Sequence, residues 1–256
     1  MEKSHVALVG DQFGSRADAY LKSAVHAQSP DLDAMVLLMQ NRTDARVLDL
    51  GCGGGHVTFN VAPLVKEIVA CDLSPEMLDV VARAAGERGL ENVTCARAPL
   101  KAFLSMRIVS MSCSAVFRAR NWRDLDAGLG EARRVLKAGG TMVIVDTVTS
   151  SNPLVDTYFQ AIEPLRDCSH VRNYSRAEWE AAIARAGLQG QSVAPFRLRL
   201  DFKAWVERMN TPKLHVDAIR SLQNAVSILA TKHFETEADG SYQIDVALFE
   251  AVRARP

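Results

Sequence analysis

Short apolar runs alternate with amphipathic stretches along the chain from Ala45 onward. Apolar runs of roughly four to eight residues between turn residues are typical of buried strands, and the longer amphipathic stretches have the period of helices. The alternation therefore predicts βα units and a parallel sheet. The predicted strands are Arg46–Leu50, Lys66–Cys71, Asn92–Ala96, Ile108–Val116, Thr141–Val148, Phe196–Phe202 and Tyr242–Val252.

Capping residues support the helices predicted between these strands. Ser74 followed by Pro75 supplies an N-cap and a proline at the first helical position. Ser175 and Glu178 have the spacing of a capping box. One or two further helices are predicted before Arg46, outside the sheet. The helices predicted within the alternating region are His56–Val65, Pro75–Glu87, Asp124–Leu136, Ser175–Ala186, Lys203–Met209 and Lys213–Phe234.

Composition and charge narrow the class of protein. With 256 residues, 48% hydrophobic, and no repeat or long linker, the chain is predicted to form one domain, residues 1–256. Thirty basic and thirty acidic side chains leave no net charge to hold the protein on nucleic acid or an anionic membrane. No apolar run reaches the roughly 20 residues of a membrane span. The start, MEKSHVALVG, lacks a secretory signal, so we expect a cytoplasmic protein.

The cysteines give no sign of a disulfide framework or a metal site. Their number, 5, is odd, and none has the C-x-x-C spacing of a zinc site. The histidines also lack ligand spacing. We therefore predict buried or incidental thiols and no metal.

A glycine-rich loop follows the first predicted strand. In VLDLGCGGGH, Asp49 ends the strand and glycines alternate before the next helix, giving D-x-G-x-G-x-G. A dinucleotide-binding loop requires G-x-G-x-x-G, in which the third glycine would here be His56. The spacing therefore disfavours a nicotinamide cofactor. It suits a ligand that approaches the backbone closely and whose positive charge Asp49 can hold.

A second acidic residue has the spacing of a ribose contact. Asp72 ends the next strand 19 residues after Gly53, close to the roughly 20 at which an acid accepts ribose hydroxyls. Leu73 follows and is placed to cover one face of a purine. Alternatively, the glycines form an ordinary tight turn and Asp72 is a solvated acid. Because the glycines and Asp72 occur together at this spacing within a βα unit, a ligand-binding site is favoured over these alternatives.

At this point the sequence resembles the class I S-adenosylmethionine-dependent methyltransferases. The resemblance rests on VLDLGCGGGH, on VACDLSPEML and on EARRVLKAGGTMVIVD. Two outer segments, GDQFGSRADAYL and RDCSHVRNYSRAEW, are similar to a bacterial small-molecule branch related to the ubiquinone and menaquinone biosynthesis enzymes. The resemblance implies an α/β fold, Rossmann-like and doubly wound, with a mostly parallel seven-stranded sheet, N-terminal helices and a C-terminal insertion that forms a cap.

The resemblance also implies a cofactor, S-adenosylmethionine, and the residues that hold it. The same resemblance divides the single domain into three parts. They are lid helices in residues 1–44, a cofactor-binding core in residues 45–149, and cap helices with the last strands in residues 150–256. In the list that ends this paragraph, the residues before Asp72 surround the methionine part of the cofactor and Asp72 contacts the ribose. The residues after Asp72 contact the adenine or lie beside the cofactor. The implied cofactor residues are Asp49, Gly51, Gly53, Gly54, Asp72, Leu73, Pro99, Leu100 and Val116.

One segment departs from the family pattern. The family has A-E-x-L-P-F and then F-D-x-V, whereas Arg97 to Arg118 contains no acidic residue. Because Met has a single codon, the Ser-Met pairs at 105–106 and 110–111 are compatible with Phe-Asp read one base earlier. We hypothesise two compensating frameshifts; the alternative is genuine divergence. As printed, the segment has Pro99, which lacks a backbone donor, so weakened cofactor binding is expected.

Four residues are candidates for contact with the methyl acceptor. Tyr20 resembles part of an N-terminal lid, although it also fits packing of an amphipathic helix. Arg120, with Asn121, matches the Arg-Asn of the quinone-pathway enzymes and suggests an aromatic, anionic acceptor; a surface pair is the alternative. His170 and Arg172 lie in the insertion after the fifth predicted strand, where acceptors usually bind. A lone histidine is also commonly a structural hydrogen-bonding group.

The function predicted from these observations is methyl transfer from S-adenosylmethionine to a small-molecule acceptor, by a monomer or homodimer. Three alternatives remain open. They are a catalytically impaired relative with weakened cofactor binding, a nicotinamide-dependent oxidoreductase, which the loop spacing disfavours, and an RNA methyltransferase, which the neutral charge disfavours.

Overall fold

The computed structural model describes residue 21 and residues 30–97 and 124–255. Seven strands lie in these ranges, and five of them both begin and end within two residues of a predicted strand. The strands are β1 Arg46–Leu50, β2 Glu67–Asp72, β3 Val93–Arg97, β4 Thr141–Thr149, β5 Tyr174–Ser175, β6 Leu188–Leu200 and β7 Tyr242–Arg253.

Helices connect or flank these strands. A short 3-10 helix, Ala62–Leu64, continues the second α-helix after Val61. The α-helices are α1 Pro30–Met39, α2 His56–Val61, α3 Pro75–Glu87, α4 Leu125–Val135, α5 Pro153–Arg166, α6 Arg176–Arg185, α7 Phe202–Arg208, α8 Lys213–Ala225 and α9 Ile228–Phe234. In the described part of the chain, none of these helices combines the length and apolar character needed to cross a bilayer.

The strands form two hydrogen-bonded groups. The first is β1-β2-β3, entirely parallel, in which Asp49 pairs with Ala70 and Asp72 pairs with Arg97. The second has the order β5-β4-β7-β6, in which β7 runs antiparallel to both neighbours and β5 runs parallel to β4. The carboxyl ends of β1 and β2 therefore lie side by side at one edge.

Alternating side chains of both groups pack into two cores on opposite faces. Val47 and Val143 belong to one core, which includes Phe159 of α5 and residues of α1 and α2. Leu48 and Met142, the next residues along β1 and β4, belong to the other, which includes residues of α4 and α6. Helices thus cover both faces, as in a doubly wound α/β fold.

The helix caps predicted from the sequence are confirmed. Ser74 is the N-cap of α3, where its hydroxyl accepts a hydrogen bond from the amide of Met77. Both hydrogen bonds of the capping box between Ser175 and Glu178 are present at the start of α6. These caps fix where the helices begin after β2 and β5.

The single seven-stranded sheet is not confirmed. The described residues form a three-stranded and a four-stranded sheet. The predicted strand Ile108–Val116 lies outside the described residues. β5 has only 2 residues, too few for an apolar run in the sequence to reveal it.

Two predicted boundaries are wrong. The helix predicted over Lys213–Phe234 is two helices, because Ser227 caps a new one at Ile228 through the amide of Ala230 and Val226 is extended. The strand predicted from Phe196 begins at Leu188. After the buried Leu188, residues 189–192 are exposed and none of them is apolar apart from glycine, so only pairing with β7 identifies this part of the strand.

Candidate functional site

The loop between β1 and α2 turns sharply through left-handed glycines. Gly51, Gly53 and Gly55 have φ angles of 78°, 49° and 78°. The amides of Gly51 and Cys52 both donate to the carbonyl oxygen of Cys71, at 2.8 and 2.9 Å. The glycine loop, residues 51–55, is therefore bonded to the end of β2, beside Asp72.

Two glycines of this loop have different surroundings. A Cβ atom on Gly55 would lie 2.7 Å from the Phe59 ring and 3.0 Å from Val81. Among the described residues, a Cβ atom on Gly53 would meet nothing nearer than a backbone oxygen at 4.0 Å. Gly55 is therefore required by packing and by its φ angle, whereas Gly53 lies beside space that no other described residue fills. Close approach of a ligand to the backbone is possible at Gly53.

Asp72 joins the glycine loop to the start of α3. Its Oδ2 accepts a hydrogen bond of 3.0 Å from the amide of Gly53, and its Oδ1 accepts one of 3.0 Å from the amide of Ser74. Each carboxylate oxygen has a second lone pair. Two backbone amides therefore fix the position of the carboxylate, and carboxylate oxygens are the kind of acceptor that hydroxyl groups bind.

Asp49 is fully buried at the end of β1. Its Oδ2 accepts a 2.6 Å hydrogen bond from Oγ1 of Thr58, and its Oδ1 has no hydrogen-bond partner in the described ranges. Burial raises the pKa of Asp49 to about 7; the hydrogen bonds from Thr58 lower it and the negative charge of Asp72 raises it. A cation that reached Oδ1 would stabilise the ionised form.

The other described cofactor candidates lie at the same edge. Gly54 is buried within the loop, and Leu73, directly after Asp72, is half-buried. The structure therefore brings together the six candidates between residues 49 and 73. Five predicted residues lie outside the described ranges: Tyr20, Pro99, Leu100, Val116 and Arg120.

The two described acceptor candidates lie in the loop between α5 and β5. The His170 side chain is buried, and its Nδ1 is 4.0 Å from Oε2 of Glu163. Arg172 is partly exposed and forms ion pairs with Glu178 at 3.1 Å and Asp156 at 3.7 Å. Arg172 therefore links α5 to α6, a structural role that the sequence did not indicate.

Thr58 is the residue of this site that the sequence did not reveal. It lies in the first turn of α2, nine positions after Asp49, and is fully buried. A threonine near the start of a helix carries no pattern of its own, and only the turn of the glycine loop brings its hydroxyl to Asp49.

Metal and disulfide chemistry find no support in the described part of the chain. No group of three or more potential metal ligands occurs there. Cys52, Cys71, Cys95 and Cys168 are free thiols. Burial raises the pKa of the Cys52 thiol well above its usual range, which disfavours the thiolate form that a nucleophile or a metal ligand requires.

Comparisons with known proteins agree with this geometry. A family model described as a methyltransferase domain matches residues 47–140, which include the glycine loop and Asp72. The chain is 37% identical over 204 residues to the uncharacterized protein YafE of Escherichia coli (strain K12), covering 80% of this chain and 99% of that one. It is 31% identical over 202 residues to the uncharacterized methyltransferase YcgJ of Bacillus subtilis (strain 168), covering 78% of this chain and 79% of YcgJ.

More distant similarity points in the same direction. The ubiquinone/menaquinone biosynthesis C-methyltransferase UbiE of Zymomonas mobilis is 32% identical over 143 residues, covering 54% of this chain and 58% of that one. The crystal structure of the Bacillus YcgJ protein superposes with a TM-score of 0.81 at 27% identity, covering 88% of this chain and 99% of that one. The likeness to YcgJ thus extends through the glycine loop and well beyond it.

Proposed function

Since the chain belongs to the class I S-adenosylmethionine-dependent methyltransferases related to UbiE, we propose that it binds S-adenosylmethionine at the glycine loop and methylates a small-molecule acceptor. The observation that carries the proposal is the pair of acids at adjacent strand ends. Asp49 has an unpartnered, buried Oδ1 among the described residues, and Asp72 is oriented by two backbone amides.

The residues present fit the cofactor. Asp72 would accept the ribose hydroxyls with its carboxylate oxygens, and Leu73 would cover the adenine. Oδ1 of Asp49 would accept the amino group of the methionine part, and the open space beside Gly53 would admit the ligand to the backbone. Gly51 and Gly54 would complete the contact with the methionine part.

The bound cofactor supplies a methyl group on a sulfonium, which is already activated for displacement. The protein then contributes alignment of the acceptor and exclusion of water. We propose residues 1–44 as a lid, residues 45–149 as the cofactor core and residues 150–256 as a cap. Tyr20, Arg120, His170 and Arg172 remain the candidates for acceptor contact in the lid, the cap and the loop beside the core.

A small molecule is the acceptor that the charge of the protein favours. Equal numbers of acidic and basic residues provide no field for the phosphate backbone of a nucleic acid. We expect the reaction to occur in the cytoplasm, with the protein as a monomer or homodimer.

A second candidate function is a methyltransferase fold with impaired cofactor binding. The absence of any acidic residue between Arg97 and Arg118 favours it, since the family places polar cofactor contacts there. This candidate and the enzyme differ in one measurable quantity, which is the affinity for the cofactor product S-adenosylhomocysteine.

Isothermal titration with S-adenosylhomocysteine tests the proposed cofactor site. We expect one site with a dissociation constant in the micromolar range, about −8 kcal/mol; NADH serves as the control ligand and should release no heat of binding. Absence of binding to the full chain would contradict the enzyme and support the impaired relative.

The acceptor class is tested by fractionation. The protein is incubated with methyl-labelled S-adenosylmethionine and a bacterial extract separated into low-mass, RNA and protein fractions. We expect the label in the low-mass fraction. Label confined to RNA or protein would overturn the small-molecule proposal while leaving the cofactor site intact.

A further inference from the structure

Four exposed apolar side chains gather on two consecutive helices, α8 and α9. In the described part of the chain, the exposed fractions of Leu214, Leu222, Ile228 and Leu229 are 77%, 37%, 69% and 47%. The other large apolar side chains that are exposed there lie singly, on α1, on α5 and in the loop between α5 and β5. Single exposed leucines are ordinary, whereas a group of them marks a surface that contacts a partner.

The four side chains belong to one surface, which we call the α8–α9 face. Only two residues separate the two helices, so the last turn of α8, with Leu222, adjoins the first turn of α9, with Ile228 and Leu229. A hydrogen bond of 2.9 Å from the amide of Val226 to the carbonyl oxygen of Leu222 closes the junction. Leu214 extends the face along α8, about 12 Å from Leu222 at the helical rise per residue.

Packing within the chain uses the other sides of both helices. Ile219 and Gln223 of α8 are buried, as are Ala230 and Phe234 of α9. Ile219, Ala230 and Phe234 belong to the core that also contains Phe159 of α5. The exposed residues take no part in this core, so they leave water only if another surface covers them.

Three residues of α8 have the spacing of a helix-packing ridge. Leu214, Ala218 and Leu222 are four positions apart, and such rows on two helices interlock at a crossing angle of about 50°, the commonest helix packing in globular proteins. Ala218 stands in the middle, where its small side chain permits close approach. A two-fold axis at Ala218 therefore brings Leu214 of one copy beside Leu222 of the other.

The charges on α8 allow a second copy to approach. Lys213 and Asp217, at the start of the helix, form an ion pair of 2.6 Å within the chain. Arg220 is also engaged within the chain, where it donates to the carbonyl oxygen of Ala238 at 2.8 Å. The middle of the face is therefore without an uncompensated charge, and two identical faces meet there without like-charge repulsion.

An anionic lipid surface is a second possible occupant, and the charges favour it less. Helices that bind membranes carry several cations beside their apolar side chains. In the stretch from Ala218 to Phe234, all of it described, Lys232 is the only exposed cation. The chain as a whole has no net charge. A second copy of the chain is therefore the occupant that fits this face.

Pairing through the sheet edge is another route to a dimer, and β6 opposes it. Within the described ranges β6 is the last strand of its sheet. It contains Pro195, which lacks an amide donor, and its register with β7 shifts between Gly190 and Ser192. Prolines and bulges are features that keep edge strands from pairing with another chain. The helical face is therefore better suited to self-association than the sheet edge.

We propose that the α8–α9 face forms the interface of a two-fold symmetric homodimer in which α8 crosses its copy at Ala218. The inference goes beyond the proposed function and does not depend on it. A standard interface takes about 20–30 residues from each partner, more than the outer sides of helices of 13 and 7 residues provide. We therefore expect a weak dimer, with a dissociation constant in the micromolar range.

Sedimentation equilibrium of the full chain, from the low to the high micromolar range, tests the proposal. We expect the mass to rise from that of one chain toward that of two. Leu214→Glu and Ile228→Glu each place an uncompensated charge on the face and should weaken the dimer by about tenfold or more. Leu37→Glu is the matched control, because Leu37 is 63% exposed on α1, outside the face; it should leave the dimer unchanged.

A double variant tests the two-fold arrangement. Leu214→Glu combined with Leu222→Lys puts opposite charges beside each other across the axis, so its dimer should be tighter than that of either single variant by about fivefold or more. All variants should melt within about 2 °C of the unmodified chain at a concentration where it is monomeric, because these positions are exposed. A double variant no tighter than the single ones would overturn the crossing at Ala218.

The mass of a single chain at every concentration would overturn the proposal, and so would a dimer that both glutamate variants leave intact. Vesicles of phosphatidylethanolamine and phosphatidylglycerol report on the other occupant. Co-sedimentation of a monomeric chain with these vesicles, lost in Leu214→Glu and Ile228→Glu, would assign the face to a lipid surface instead of a second copy.

Discussion

The amide of Gly53 donates a hydrogen bond of 3.0 Å to Oδ2 of Asp72, which joins the loop after β1 to the end of β2. The bond orients a carboxylate that Ser74 holds from the other side. Hydroxyl groups that bind to Asp72 therefore meet an acceptor whose position is already fixed, so little side-chain entropy is lost on binding.

Replacement of Asp72 by Asn is expected to weaken binding of S-adenosylhomocysteine by about tenfold or more, about 1.4 kcal/mol. An amide side chain has one oxygen, and its NH2 group would face a backbone amide at either Gly53 or Ser74. Titration calorimetry measures the affinity, and thermal melting measures the stability.

Ser74→Ala is the matched control for Asp72→Asn. It removes the side-chain cap of α3 and is expected to cost about 1 kcal/mol of stability with little loss of affinity. If both variants lost affinity in proportion to their loss of stability, Asp72 would be a structural residue and the ribose assignment would be wrong.

Asp49 is expected to make cofactor binding depend on pH near neutrality. Its pKa is raised to about 7, so the carboxyl is largely neutral below pH 7 in the unliganded protein. A cationic amino group binds the ionised form, so affinity for S-adenosylhomocysteine should rise with pH up to about 7 and then level off. Calorimetry in two buffers of different ionisation enthalpy should also detect proton release at pH 6.

Two variants check that Asp49 causes this dependence. Asp49→Asn should bind weakly with a flat profile, because an amide does not titrate. Thr58→Val removes a hydrogen bond that lowers the pKa of Asp49, so the midpoint of its profile should shift to higher pH. If the affinity of the unmodified protein varied with pH in the same way as that of Asp49→Asn, contact between Asp49 and the cation would be excluded.

The buried carboxyl also has a consequence for stability. A raised pKa means that the folded state binds more protons than the unfolded state between about pH 4 and pH 7, so stability falls as pH rises through this window. Asp49→Asn should therefore be more stable than the unmodified protein at pH 8, by up to about 4 kcal/mol, and gain far less at pH 5. Denaturant unfolding at both pH values measures the difference, and an equal effect at both would contradict it.

Local signals made much of the cofactor edge predictable. Ser74 and the pair of Ser175 and Glu178 cap helices by bonds to residues within three positions, so the sequence alone specifies them. The spacing from Gly53 to Asp72 also reflects a local βα unit, and in the structure the amide of Gly53 donates a hydrogen bond to Asp72.

The features that escaped prediction depend on distant contacts. Residues 189–192 of β6 are exposed and become strand only by pairing with β7, about sixty residues further along the chain. Helix α5 was not predicted from the sequence, and its residues Glu163 and Arg166 are buried by contacts with His170 and Trp205. The break before Ser227 did have a local signal, a capping residue, but the apolar pattern continues across it.

The glycine loop contains one position set by packing and another that is open to a ligand, and alanine substitutions should separate them. Gly55→Ala places a Cβ atom 2.7 Å from the Phe59 ring at a φ angle of +78°, so we expect a loss of about 2–4 kcal/mol of stability. Gly53→Ala meets open space and should cost about 1–2 kcal/mol from its left-handed φ angle.

Gly53→Ala should nevertheless weaken binding of S-adenosylhomocysteine by about tenfold, because the added methyl group occupies the approach to the backbone. Melting curves and calorimetry on the two variants measure both quantities. Full affinity in Gly53→Ala would show that the ligand does not approach the loop at this position.

The segment from Arg97 to Arg118 determines whether the chain as printed is a competent enzyme, and comparison of two proteins addresses it. One is the printed chain; the other has this segment translated in the alternative frame, which restores A-E-x-L-P-F and F-D-x-V. Each polar contact regained contributes about 0.5–1.5 kcal/mol, so two contacts should tighten binding of S-adenosylhomocysteine by about tenfold or more. Methyl transfer to the low-mass fraction should increase in parallel. Equal affinities would mean that the departure from the family pattern is genuine divergence and that the printed segment serves the cofactor as well as the family's own.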